Sequence, residues 1–176
     1  PLPIVNAASS IAADGVTDDT AALAALMAAL PQAGGTILLP AGTILVNDLV
    51  IPAKPITLEG VARGGIGAGN DGTILRCSNG HAVIKSMGTS DYVDRRYYLT
   101  LRSLMVYGSG TPGFPALELR YVSYFRAHSV NFNNSASQLC YLHNVWDSRF
   151  YDCDFSYGGN ASGTEPAVHI HGTGGE

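Results

Sequence analysis

Charge is what this chain has least of. Only 14% of its 176 residues are Asp, Glu, Lys or Arg, too few to solvate the outer faces of several long helices, and this argues against an α-helical bundle. Basic residues number 10 against 14 acids, a net charge of −4. A nucleic-acid binder would carry a basic stripe instead. No apolar run is long enough to cross a bilayer. Neither nucleic acid nor membrane insertion is therefore expected. The chain also lacks a basic-then-apolar stretch at Pro1. That leaves a mature chain, a fragment, or a protein not exported by that route. Cysteine is scarce and odd in number: Cys77, Cys140 and Cys153. Three without tight spacing make no disulfide framework, and they read as small buried apolar side chains.

Hydrophobic residues, at 46%, and glycine, at 21 residues, are plentiful. Together they point to short buried strands with many turns. One helix is expected near the start. Thr17 or Asp18 would cap it, acids would sit in its first turn, and Leu23, Leu26, Met27 and Leu30 would form one apolar face. Pro31 and Gly34-Gly35 would end it. After that the pattern turns to strands: Thr36–Leu39, Thr43–Val46, Ile56–Leu58, Thr73–Leu75 and onward. One helix before many strands does not fit an alternating βαβ fold.

The strands repeat. Tyr121 to Asn133 aligns with Asn144 to Ser156 at an offset of 23 residues, setting Arg126 on Arg149, Val130 on Cys153 and Phe132 on Phe155. The strand before each aligns at the same offset, Leu117 on Cys140 and Arg120 on His143. Ala167–His171 is a third copy, delayed by the loop from Gly158 to Pro166, and His81–Lys85 an earlier one. Repeats of this length are solenoid passes that stack by parallel pairing. The fold expected is all-β: a right-handed parallel β-helix (solenoid) with an N-terminal capping α-helix. Residues 1–35 would form the lead-in and cap, and 36–176 the first coils. The helix would cover the apolar end and free edges of the first coil. No cap is visible after His171, so further coils are expected.

Asp14-Gly15-Val16-Thr17-Asp18-Asp19-Thr20, an Ala-rich helix, and Gly34-Gly35-Thr36-Ile37-Leu38-Leu39-Pro40-Ala41-Gly42-Thr43 together resemble the opening segment of the pectate-lyase-like β-helix superfamily. The likeness covers roughly residues 13 to 46. The resemblance implies the solenoid fold and a setting such as a phage tailspike, which is typically a homotrimer. Alginate epimerases and secreted polysaccharide-degrading enzymes share it. The segment is a cap and contains no catalytic residue, so chemistry must be sought elsewhere.

Strand alternation places Glu118, Tyr141 and His169 in one outward column with Val83, and Arg120, His143 and His171 in another with Lys85. The second column is wholly basic or titratable. A lyase needs a cation against a uronate carboxylate and a base for the C5 proton. Arg120 and Lys85 suit the first task; Tyr141, His143, His169 and His171 suit the second. Lys85, Glu118, His169, His171 and Trp146 are further candidates for holding substrate. An ordinary solvated sheet face explains the same columns. A second outward set is Ser103, Ser129 and Asp152 with Met105, Asn131 and Asp154. Asp152 and Asp154, read as alternate residues of one strand, have the spacing of a glycosidase carboxyl pair, with Asp147 and Glu165 as other partners. They also fit as surface acids bonded to turns.

No metal site is expected at His143, His169 and His171, because no acidic or thiol ligand joins them. No cofactor is implied beyond a divalent ion that could bridge carboxylates. Gly67–Gly72 matches a dinucleotide fingerprint but runs into a strand, so it reads as a loop. Asn133-Asn134-Ser135 and Asn160-Ala161-Ser162 match a glycosylation sequon and read as turns. Two functions follow from different classes: a tailspike-type depolymerase or secreted lyase acting on a bacterial polysaccharide, and a non-catalytic adhesin or spacer. Either would work on a virion tail or outside the cell.

Overall fold

The computed structural model describes residues 1–64, 72–160 and 162–172. The chain makes six similar passes. The first holds β1 (Ile4–Asn6), β2 (Asp14–Asp18) and α1 (Thr20–Ala29). The second holds β3 (Gly35–Leu38), β4 (Gly42–Leu45) and β5 (Leu49–Val50), and the third β6 (Ile56–Glu59), β7 (Thr73–Arg76) and β8 (Ile84–Met87). Then come β9 (Arg96–Tyr97), β10 (Leu99–Tyr107) and β11 (Leu117–Arg120), followed by β12 (Val122–Ser123), β13 (Arg126–Asn133) and β14 (Cys140–His143). The last pass is β15 (Arg149–Tyr151), β16 (Asp154–Ser156) and β17 (Val168–His171).

Every strand pair is parallel. The strands form a curled ten-stranded sheet, a five-stranded sheet in the order β17-β14-β11-β8-β5, and a small pair, β12-β9. The large sheet curls because β10 and β13 bend in mid-strand. Leu99–Arg102 pair with β6, whereas Met105–Tyr107 pair with β7. Between them Ser103 is left-handed at φ 51, and Ser129 of β13 repeats the bend at φ 53. Such a conformation is uncommon without glycine and marks a corner that the surrounding pairing holds in place.

The core lies inside the curl. Ile37, Ile44, Leu58, Leu75, Leu101, Leu117, Phe125 and Phe132 are fully buried. One pass could not bury these faces alone; stacking covers each with the next. At the first pass α1 takes the third place, beside β5. Its Leu23 and Met27 are buried, Leu30 joins the core, and Leu26 is half-buried. Lys54 Nζ donates to the Ala28 and Leu30 carbonyls at 3.0 and 2.6 Å, setting a cation at the helix C-terminus where the dipole favours one.

The cap of α1 differs from expectation. Thr17 and Asp18 belong to β2, the N-cap is Asp19, and the first turn holds no acid. Asp19 turns its carboxylate back to accept from the Ala12 and Ala13 amides, while Asp18 accepts from the Thr20 amide at 2.9 Å. The carboxylates thus fix the bend into the helix rather than its first turn. Of the dinucleotide-like stretch Gly67–Gly72, only Gly72 lies within the described residues. The second sequon includes Ala161, which lies outside them.

Candidate functional site

The outer face of the five-stranded sheet gathers most of the candidate residues. Leu117, Leu119, Cys140 and Leu142 point inward and are buried, as alternation requires. Glu118, Arg120, Tyr141 and His143 therefore point out. Their register sets Lys85 beside Glu118, then Tyr141, then His169. The other column runs Met87, Arg120, His143, His171. This corrects the expected columns by two residues. Val83 is fully buried, and Lys85 belongs with Glu118 rather than Arg120. A two-residue slip leaves every side chain on its own face, so the apolar pattern could not detect it. The wholly basic column is thus broken by Met87.

The charges on this face are paired. Arg120 Nε donates to Glu118 Oε1 at 2.7 Å, and its guanidinium lies over the Tyr141 ring at 5.2 Å. Lys85 Nζ reaches Asp48 at 2.8 Å, and His81 Nδ1 meets the same carboxylate at 2.7 Å. Burial raises the Asp48 carboxyl, but hydrogen bonds from His81, Lys85 and the Ala82 amide outweigh it and leave it below its usual value. The rings pack into a ladder: His143 stacks on His171 at 5.0 Å, Tyr141 meets His169 edge-on at 5.2 Å, and Tyr121 meets His143 at 5.3 Å. Partial burial, His171 and Arg120 all hold the His143 imidazole below 6.5. That favours its neutral form, and its buried Nδ1 makes no hydrogen bond among the described residues. A neutral imidazole beside a phenol and a guanidinium can take up and deliver a proton near neutrality.

Asp152 and Asp154 lie at another corner. Asp152 is a left-handed corner residue at φ 50, between β15 and β16, so the two acids are not alternate residues of one strand as expected. Arg63 clamps both, at 2.8 Å from Asp154 and 3.7 Å from Asp152. Ser129 Oγ donates to Asp152 at 2.8 Å. Met105, expected to face out, is fully buried, while Asn131 is half-buried. Cys153 packs against the core only in part. Ile170, expected to point inward, is exposed in β17, the last strand of its sheet.

Trp146 belongs to neither place. Its ring takes the guanidinium of Arg95 at 3.8 Å. Arg95, which strand alternation does not pair with it, is a buried residue of the loop 88–96 and also reaches the Ser123 hydroxyl and the Asn144 carbonyl, both at 3.1 Å. Its partners come from three successive passes, joined by one long side chain that leaves no periodic trace in the sequence. Asp147 is exposed beside Trp146. Among the described residues, no three His, Cys, Asp or Glu side chains converge as metal ligands. No helix among them is long and apolar enough to cross a membrane.

Neither a protein-family model nor a curated protein matches this chain. Solved structures do. The ORF18 protein of Geobacillus virus E2 superposes with a TM-score of 0.77 at 22% identity, over 94% of this chain and 32% of that one. This chain therefore spans about a third of that structure's length. A proposed glycosyl hydrolase of Parabacteroides merdae superposes with a TM-score of 0.53 at 12% identity, over 96% of this chain and 94% of that one. At these identities the likeness is one of fold.

Proposed function

We propose that this chain is a stretch of a closed right-handed parallel β-helix of the pectate-lyase-like kind, and that it serves a phage tailspike-type depolymerase acting on a bacterial surface polysaccharide. The observation that carries the reading is the outer face of the five-stranded sheet. There Lys85, Glu118, Tyr141, His169 and Arg120, His143, His171 lie in register on four successive strands. Parallel strands lie about 4.8 Å apart, so such columns present an unbroken track to an extended polymer. The six parallel passes and the viral fold neighbour support the solenoid and the virion setting. A homotrimer on a virion tail, or outside the cell, fits that setting.

The chemistry that suits the strip is elimination from a uronate. His143 takes the C5 proton, the electrons of that bond form a C4=C5 double bond, and the C4–O bond breaks. The Tyr141 phenol gives the departing oxygen its proton. Arg120 faces the carboxylate, which gains charge as the proton leaves. Lys85, His169 and His171 hold the flanking sugars, while Glu118, expected from the sequence to hold substrate, is buried and instead holds Arg120 in place.

A second reading is favoured by one observation: both cations of the strip are already paired, Arg120 to Glu118 and Lys85 to Asp48. A strip with no surplus positive charge can hold a polysaccharide without cutting it, as an adhesin would. A panel of bacterial capsular and lipopolysaccharide glycans separates the two. New reducing ends with the ultraviolet absorbance of an unsaturated uronate are the expected result. Reducing ends without that absorbance would move the chemistry to carboxylates and hydrolysis. Binding without any cleavage would establish the adhesin. Mass measurement in solution would distinguish a trimeric spike from a monomeric secreted lyase or epimerase.

A further inference from the structure

A corner of the molecule away from the strip carries an aromatic cluster that the reading above does not use. Successive passes turn there through left-handed residues: Tyr98 at φ 60, Tyr124 at φ 61 and Asp147 at φ 48. The same backbone turn, repeated pass on pass, sends the three side chains the same way. Tyr98 and Tyr124 accordingly stack, with centroids 5.0 Å apart and planes 11° apart. On the next pass the column changes to Asp147, which is exposed. Among the described residues, the ring neighbours of Tyr124 are Tyr98 and, tilted at 6.4 Å, Tyr97. Both come from the preceding pass, so the face of Tyr124 turned towards Asp147 carries no ring.

The adjacent column deepens this gap. Tyr97 pairs with Ser123, and Ser123 bridges to Trp146. A small residue between two large rings leaves a notch, and Tyr97 and Trp146 are each about half exposed at its sides. The cavity measures about 280 Å³ and is lined also by Asp91, Arg95 and Asp147, near the small end of known small-molecule sites. Arg95 forms its floor and is spent there. Its side chain is 2% exposed and ion-paired to Asp91, and it donates to Val122 O, Ser123 Oγ and Asn144 O.

We propose that this notch is a subsite for one uncharged pyranose residue of the polysaccharide. Resting on the saccharide reading above, this names the sugar class that one part of the molecule takes. The apolar C–H face of the ring lies on Tyr124 and the rim of Trp146, flat aromatics being suited to amphipathic ligands. Sugar hydroxyls donate to the Asp147 carboxylate, and the Ser123 hydroxyl, already accepting from Arg95, keeps its own proton to donate. The charge balance selects the class. A uronate carboxylate would meet Asp147, while Arg95, the only lining cation among the described residues, is fully engaged, and the two arginines beside Asp147 lie outside the lining, Arg126 donating to the Phe125 and Asp147 carbonyls and Arg149 to the Tyr151 hydroxyl. An uncharged ring meets no such repulsion.

The chain holds a single tryptophan, and it is Trp146, so its emission reports this notch alone. The test titrates the 176-residue chain with neutral gluco-, galacto- and manno-configured oligosaccharides and, separately, with oligogalacturonate. The expected result is a saturable change in Trp146 emission with a neutral oligosaccharide and none with oligogalacturonate. Tyr124→Asn keeps a residue that tolerates the left-handed corner and should weaken the neutral ligand about tenfold, the order of one lost ring contact. Asp147→Asn, at an exposed position, should weaken it as well. Emission unmoved by every neutral oligosaccharide would overturn the proposal, as would an equal response to oligogalacturonate or a response untouched by both corner variants. Calorimetric binding without a change in Trp146 emission would sink the subsite alone. No binding of any glycan would sink the saccharide reading with it.

Discussion

Arg63 and Asp154 meet at 2.8 Å although 91 residues of chain separate them. The guanidinium also donates to the Asp152 carbonyl, tying the segment after β6 to the corner between β15 and β16. Both side chains of the ion pair are more than a third exposed, and exposed pairs contribute little. Arg63→Ala should therefore lower unfolding stability by less than about 1 kcal/mol in urea titrations. Asp154→Asn should leave any glycan cleavage rate within about twofold, since this carboxylate is held as a clamp rather than poised as an acid. A hundredfold loss in Asp154→Asn would relocate the chemistry to this corner.

Phe132 stacks on Phe155 of the next pass, with centroids 5.2 Å apart and planes 11° apart. Phe132 is fully buried, and Phe155 is 39% exposed. Phe132→Ala should cost about 3–5 kcal/mol, the usual penalty for emptying a buried aromatic site. Phe155→Ala should cost clearly less. Denaturant midpoints of the two variants check the order.

His143 gives a pH dependence whose sign is fixed. Its folded pKa lies below 6.5, so below that pH the unfolded chain binds the proton more readily than the folded one. Above pH 6.5 its contribution no longer varies with pH, and stability falls as the pH drops from there towards the folded value. The slope should lessen in His143→Gln. Thermal midpoints of both proteins on either side of pH 6.5 measure it.

The thiols should be inert in the folded protein. Burial pushes Cys77 up to about 11 and Cys140 well above its ordinary 9.0. The thiolate is the reactive form, so a disulfide reagent should label neither until denaturant is added. Cys153, half-buried and shifted upward by the same cause, should react first but slowly.

Much of the fold was legible in the sequence, for a physical reason. Where a pass has no insertion its length is constant, and a constant length sets like residues side by side. The 23-residue offset placed Arg126 on Arg149 and Leu117 on Cys140, and the pairing is as read. Between β8 and β11 the loop at 88–96 and the longer β10 spoil that constancy. Alternation then fixed the face of Lys85 but not its partner, which is Glu118. The corners were hidden because their left-handed residues are Ser103, Tyr121 and Asp152 rather than glycine. Contacts such as Arg63 with Asp154, or Arg95 with Trp146, join distant segments through long side chains and leave no periodic trace. Tyr141, His143 and Arg120 came together as expected, but the pairing of Arg120 with Glu118, which cancels its charge, did not show in the pattern.

In the proposed function a glycan lies along the outer face of the five-stranded sheet. The most direct test is the dissociation constant for a glycan that the protein binds, compared with that of the double variant Arg120→Gln/Tyr141→Phe. Both changes leave most of the side-chain volume in place, and the amide introduced by Arg120→Gln can still donate to Glu118, so the thermal midpoint should hold. The expected result is at least about a tenfold loss of affinity, the order of one charge-assisted hydrogen bond. A folded double variant that binds the glycan as tightly as the parent would contradict it.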